Sequence, residues 1–126
     1  MIPASFTFSK NEKLTHVKDI AQLFSSKNTS MFAPILFSYT IKEREDTPCK
    51  VVISVSKKKF KKSVERNLLK RKMREAYRLN KHLLWVQIPK DKTIHLGIIY
   101  VGTTIVAFDK IEKRVQQGLS KILIDK

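Results

Sequence analysis

The chain is 126 residues long with 42% hydrophobic side chains, one domain's length with enough apolar content to bury a real core. Its 26 Lys and Arg against 11 Asp and Glu give a formal net charge of +15, which points to nucleic acid, or secondarily to an anionic membrane surface, as the partner. A single cysteine, Cys49, excludes an internal disulfide and a cysteine-built zinc site, and no apolar run approaches the length of a bilayer span.

The N-terminus, MIPASFTFSKNEK, lacks a charged-then-apolar signal pattern, so a soluble cytoplasmic chain is expected. Residues 1–14 read as irregular, with Phe6 and Phe8 in a short alternating stretch that could add a strand. Thr15 has the character of an N-cap, and Val17, Ile20, Ala21 and Phe24 follow at helical spacing, which predicts a short first helix ending near Ser25. Residues 26–30 form a polar turn. A strand is predicted over 34–41, with Ile35, Phe37, Tyr39 and Ile41 on one face. The hydrophilic KEREDTP (42–48) then reads as a hairpin loop, and KVVISVS (50–56) as the partner strand. Cys49 precedes that strand as a small, semi-buried side chain.

Residues 57–81, KKKFKKSVERNLLKRKMREAYRLNK, are densely basic, opposed only by Glu65 and Glu75. Like charge at this density opposes folding unless a polyanion neutralises it. With Ser63 as N-cap, a helix is predicted over 64–79. At roughly 100° per residue, Leu69, Met73, Ala76 and Tyr77 fall on one arc, and Asn67, Lys70, Arg71, Arg74 and Arg78 on the opposite one. An ordinary solvated face would mix signs at i,i+4 spacing, whereas here only Glu75 interrupts the cations. Arginine adds a planar fork that can grip phosphate oxygens bidentately.

A connector over 80–93 carries the sole Trp85, expected as a buried clamp, and Pro89. Residues 94–101 are apolar on both faces, as an interior strand requires. After a turn at Gly102, Asp109 and Glu112 have capping-box spacing, and Ile111, Val115, Leu119, Ile122 and Leu123 form the stripe of a closing helix. The order α-β-β-α-β-α describes an α+β sandwich in a single domain, 1–126. Catalytic machinery is not in view: His16, His82 and His95 lie in three separate elements, and the acids are scattered or gathered in the 43–46 loop. Asp19, on the first helix, reads as a cap or an ion-pair partner.

Taken as one piece, SVSKKKFKKSVERNLLKRKMREAYR (54–78) resembles the signature of the bacterial ribonuclease P protein subunit: a strand ending in S-K-K, a basic turn, then R-N-R-x-K-R-x-x-R-E on a helix. Arg66, Asn67, Lys70, Arg71, Arg74 and Glu75 match; Leu68 stands where the family usually has Arg. KLTHVKDIAQLF (13–24) is similar to that family's R-L-x-x-x-x-D-F-x-x-V-F opening, with Asp19 and Phe24 matching and Ile20 in place of the first Phe.

The resemblance implies a fold like the second domain of ribosomal protein S5, with a cleft between the first helix and the sheet and the basic helix beside it. It implies a protein subunit that binds the catalytic ribonuclease P RNA through Arg66, Asn67, Lys70, Arg71, Arg74 and Arg78. The single-stranded 5′ leader of precursor tRNA would lie against Ile20, Phe24, Tyr39, Lys57 and Lys58. Hydrolysis would belong to the RNA, with Mg2+ held mostly by RNA; neither a membrane nor a further protein partner is required. A small basic structural ribosomal protein would explain the charge, but not the spacing of the motif.

Overall fold

The computed structural model describes residues 10–122. The alternating stretch at Phe6 and Phe8 and the last residue of the closing stripe, Leu123, lie outside the described residues. A 3-10 turn at Lys10–Glu12 leads into helix α1 (Val17–Phe24), strands β1 (Thr29–Phe32), β2 (Ile35–Glu43) and β3 (Cys49–Val55), helices α2 (Ser63–Asn80) and α3 (His82–Trp85), strand β4 (Lys92–Tyr100) and helix α4 (Phe108–Lys121). The α+β architecture and the order α-β-β-α-β-α hold, with β1 and α3 added. β1 occupies part of the segment read as a polar turn.

The sheet order is β1-β2-β4-β3, so β2 and β3 are not a hairpin pair. β4 lies between them, antiparallel to β2 and parallel to β3. The reason is in β4 itself. Seven of its nine positions, Thr93 to Ile98 and Tyr100, are buried, and a strand apolar on both faces is best placed with a neighbour on each side. The 42–48 segment therefore passes the start of β4 instead of turning back. It is held there by Ile94 N–H donating to the Pro48 carbonyl (2.9 Å) and the Thr93 hydroxyl to the Thr47 carbonyl (2.8 Å). Because β3 and β4 run parallel, a crossover must join them, and α2 supplies it.

Alternation assigns the two sheet faces. Ile35, Phe37 and Tyr39 of β2 and Ile94, Leu96, Ile98 and Tyr100 of β4 point to one side, where Leu69, Met73, Ala76 and Tyr77 of α2 and Ile111, Val115 and Leu119 of α4 complete the core. Burial of each such large side chain stabilises by roughly 1.5–3 kcal/mol. α4 sits so close to the sheet that a Cβ on Gly118 would lie 2.2 Å from the Phe37 ring. α1 crosses the other face. There Leu23 is fully buried, its carbonyl accepts from the Ser38 hydroxyl (2.7 Å), and Gly97 leaves space for Leu23 and Phe24.

The expected helix caps are displaced. His16, Lys62 and Ala107 precede α1, α2 and α4, and none makes a side-chain capping bond. Glu112 does not reach back to its helix start; its carboxylate accepts from Asn80 Nδ2 (2.9 Å), tying α4 to the end of α2. Part of the connector is helical, and Trp85 in α3 donates its indole N–H to the Tyr77 hydroxyl (3.0 Å). Cys49 is buried outright, and burial pushes its thiol up to about 12, so it has no nucleophilic role at neutral pH.

Candidate nucleic-acid interface

α2 carries six cations, Arg66, Lys70, Arg71, Lys72, Arg74 and Arg78, at positions that do not face the core, and the structure divides them into two groups. Arg66 turns back, one guidinium nitrogen donating to the carbonyls of Phe60 (2.7 Å) and Lys61 (3.0 Å), and so folds the lysine-rich turn against the start of the helix. Lys72 reaches the Val106 carbonyl (3.4 Å). Arg78 forks onto Glu75 at 3.0 and 2.5 Å; this contact holds the Glu75 carboxyl below its ordinary range and raises the guanidinium. Lys70, Arg71 and Arg74 make no hydrogen bond or ion pair within the described residues. With Asn67 they form the central stripe of the helix, and Asn67, Arg71 and Arg74 are exposed. Three cations without internal partners on one rigid helix are a ready-made phosphate grip.

Lys70 and Arg74 also border a groove of about 250 Å3 whose other wall is Lys13, Leu14, Thr15 and residues 51–53 of β3. The segment before α1 is fixed there by Leu14 N–H donating to the Val51 carbonyl (2.9 Å). The cationic helix is thereby continuous with the approach to α1. The lysine-rich turn closes the same end of the sheet. Ser56 Oγ accepts from the amides of Lys58 (3.2 Å) and Lys59 (3.4 Å), and the Lys59 ammonium donates to the Val101 carbonyl (2.6 Å). Lys57 and Lys58 remain exposed.

Across the sheet, Phe24 lies over Gly97 with 46% of its surface exposed, and Ile20 is half-buried one turn earlier. Leu36, Val52, Ser54 and Ile99 alternate onto this face and are only partly covered. Met31 of β1, 56% exposed, extends it as an apolar platform. Met31 is not legible as a cleft residue in the sequence, because it falls between the expected turn (26–30) and the expected strand (34–41), in a stretch too short to show alternation. Tyr39, expected in the cleft, lies elsewhere. Strand alternation sends its ring to the opposite face, where it is 7% exposed among the core residues that meet α2 and α4, so it does not line the cleft with Phe24.

His95 does face the cleft side but is buried, bonded through Nε2 to Glu45 (2.8 Å). The loop acids are engaged as well: Lys50 lies 3.3 Å from both Glu45 and Asp46. Among the described residues, no three carboxylate, imidazole or thiol side chains converge as a metal ion would require. These side chains do not form a cage for Mg2+, and none is assigned as its ligand. Among the described residues, no helix is long and apolar enough to cross a membrane.

Comparison with known proteins identifies the family and the fold. The family description "Ribonuclease P" matches residues 8–123. Two curated relatives, the ribonuclease P protein components of two strains of Porphyromonas gingivalis, are 33% and 32% identical over 123 residues, covering 95% of this chain and 89% of each relative. The fold is similar to that of the RNase P protein from Thermotoga maritima, with a TM-score of 0.69 and 21% identity over 87% of this chain and 96% of that one. It is also similar to the Staphylococcus aureus RNase P protein, with a TM-score of 0.65 and 16% identity over 91% and 98%. The chain belongs to the ribonuclease P protein family, the protein component of that tRNA-processing ribonucleoprotein.

Proposed function

We propose that this chain, acting as one RNA-binding unit in the cytoplasm, grips the ribonuclease P RNA with α2 and lays the single-stranded 5′ leader of precursor tRNA along the cleft between α1 and the sheet. The observation that carries the reading is the division of α2: among the described residues Lys70, Arg71 and Arg74 have no partner, whereas Arg66, Lys72 and Arg78 are tied to the protein. Tied cations build the platform and unpaired ones meet phosphate. Arg66 acts as a positioning residue whose other guanidinium nitrogens would be available to phosphate, and Asn67 would add a polar contact beside it.

For the leader, Phe24, Ile20 and Met31 offer apolar surface on which unstacked bases can rest, and Lys57 and Lys58, exposed in the turn after β3, would supply charge to its backbone. The RNA subunit carries the hydrolysis, with Mg2+ held mostly by that RNA. The protein contributes binding and placement: it neutralises phosphate charge so that less Mg2+ is needed for the RNA and its substrate to associate. The test is reconstitution with ribonuclease P RNA at low Mg2+, scoring cleavage of precursor tRNA. Stimulation that fades as Mg2+ rises is expected; no stimulation at any Mg2+ concentration would refute the reading.

A further inference from the structure

The side of α2 that faces away from β3 holds a second concavity, of about 380 Å3, lined by Leu68, Arg71, Lys72, Glu75 and the first residue of α4, Phe108. We propose that this pocket receives one unpaired nucleobase of the RNA that α2 grips, stacked on the Phe108 ring; the inference rests on the reading of α2 as the RNA-binding helix.

The wall chemistry selects a base over a phosphate. Leu68 and Phe108 are half-buried apolar groups, a surface on which an unstacked base loses water favourably. Glu75 stands in the same wall. Its fork to Arg78 keeps it ionised, so a phosphate entering the pocket would be repelled by the carboxylate, whereas a neutral base would not. Arg71, without a partner among the described residues, stands at this pocket and can hold a phosphate flanking the inserted base, with Arg74 and Lys70 further round the helix. Lys72, bonded to the Val106 carbonyl, braces the segment that leads into Phe108, and Phe108 packs in part against the core. The charge around the pocket suits a polyanion and its interior suits an uncharged planar group. A nucleotide has both.

The experiment uses the full chain bound to ribonuclease P RNA. Hydroxyl-radical cleavage reads backbone contact; dimethyl sulfate and a carbodiimide together read the Watson–Crick edges of all four bases. The wild-type chain is expected to protect at least one unpaired base that Phe108→Leu leaves reactive, with affinity reduced about 5- to 100-fold and backbone protection retained. Phe108→Leu preserves apolar volume and removes the π face; Phe108→Tyr, which keeps the face, is expected to keep the protection. Leu68→Ser, at the half-exposed opposite wall, is expected to weaken the same protection. If base reactivity is identical for the wild type, Phe108→Leu and Leu68→Ser while the backbone stays protected, no base enters the pocket and the inference fails alone. If Arg71→Ala and Arg74→Ala leave backbone protection unchanged, the reading of α2 fails, and this inference with it.

Discussion

The Lys81 ammonium lies 2.7 Å from the Glu12 carboxylate, with both side chains almost wholly buried, and 4.6 Å from the centre of the Trp85 ring. This pair joins the segment before α1 to the junction of α2 and α3, elements 69 residues apart in sequence. Removing one partner leaves an uncompensated buried charge, and breaking such a pair typically costs about 3–5 kcal/mol. Glu12→Gln and Lys81→Met are each expected to lower stability by an amount in that range, measured by urea unfolding. The double variant Glu12→Leu/Lys81→Met should recover much of the loss. A double variant no better than the worse single one would show that the pair is not the source of the effect.

The three unpaired cations of α2 have a countable electrostatic signature. If Lys70, Arg71 and Arg74 each neutralise one phosphate, α2 contributes about −2 to −2.7 to the slope of log K against log salt for RNA binding. Arg71→Ala or Arg74→Ala is expected to shallow the measured slope by about 0.7–0.9. Arg78→Ala, which removes a side chain already committed to Glu75, should change it less. Equal changes for Arg74→Ala and Arg78→Ala would contradict the division into tied and unpaired cations.

Phe24 and Tyr39 separate leader contact from folding. Phe24 is nearly half exposed and Tyr39 is in the core. Phe24→Ala is expected to leave the free energy of unfolding within about 1 kcal/mol of wild type, because exposed positions tolerate change. It should reduce the preference of the reconstituted enzyme for precursor over mature tRNA. Tyr39→Ala is expected to destabilise by about 3–5 kcal/mol, as truncation of a buried aromatic does, with the preference unchanged in whatever protein remains folded. The measurement is the affinity for each tRNA form set beside a denaturation curve.

Much of this architecture was legible in the chain because apolar periodicity reports burial directly. The α2 arc of Leu69, Met73, Ala76 and Tyr77 and the stripe of Ile111, Val115 and Leu119 are the core faces observed. Strand partnership was not legible. Nothing local to 42–48 distinguishes a hairpin from a segment that passes the start of β4; the choice is made by the burial of β4, far along the chain. The same non-locality misplaced Tyr39. Its alternation with Ile35 and Phe37 was read correctly, but which face of the sheet receives α1 depends on Gly97 and Ser38, which accommodate Leu23. Charge counting also cannot separate Arg66 and Arg78, held by the protein, from Arg71 and Arg74, because carbonyl and carboxylate partners appear only once the turn and helix are folded.

Cys49 offers an internal reporter of global unfolding. Its thiol is buried against Tyr77, and burial raises it from 9.0 to about 12. The thiolate is the reactive form, so iodoacetamide at pH 8 should modify the folded chain far more slowly than the urea-unfolded one. The sign of the linkage follows from the same shift. The folded state keeps a proton that the unfolded chain releases near 9, so this contribution to stability is fully present below pH 9 and declines as pH rises toward 12. Rapid labelling of the native protein, at a rate insensitive to RNA binding or stabilising salt, would contradict the buried placement.

The contact between Gly118 and Phe37 yields the sharpest steric prediction. A Cβ at position 118 would approach three carbons of the Phe37 ring at 2.2, 2.4 and 2.7 Å, and the ring, fully buried between α4 and the sheet, has no free volume to yield. Gly118→Ala would ordinarily favour a helix by about 1 kcal/mol; here overpacking should reverse the sign and destabilise by at least about 1–3 kcal/mol. The reversal can be tested by making room. Phe37→Leu alone leaves a gap and should destabilise, but combined with Gly118→Ala the added methyl should fill part of it. The two substitutions should therefore couple favourably by about 0.5–3 kcal/mol in a double-mutant cycle read by thermal unfolding. Simple additivity would mean that α4 shifts to relieve the clash, and that the close approach of helix and sheet is not enforced at this position.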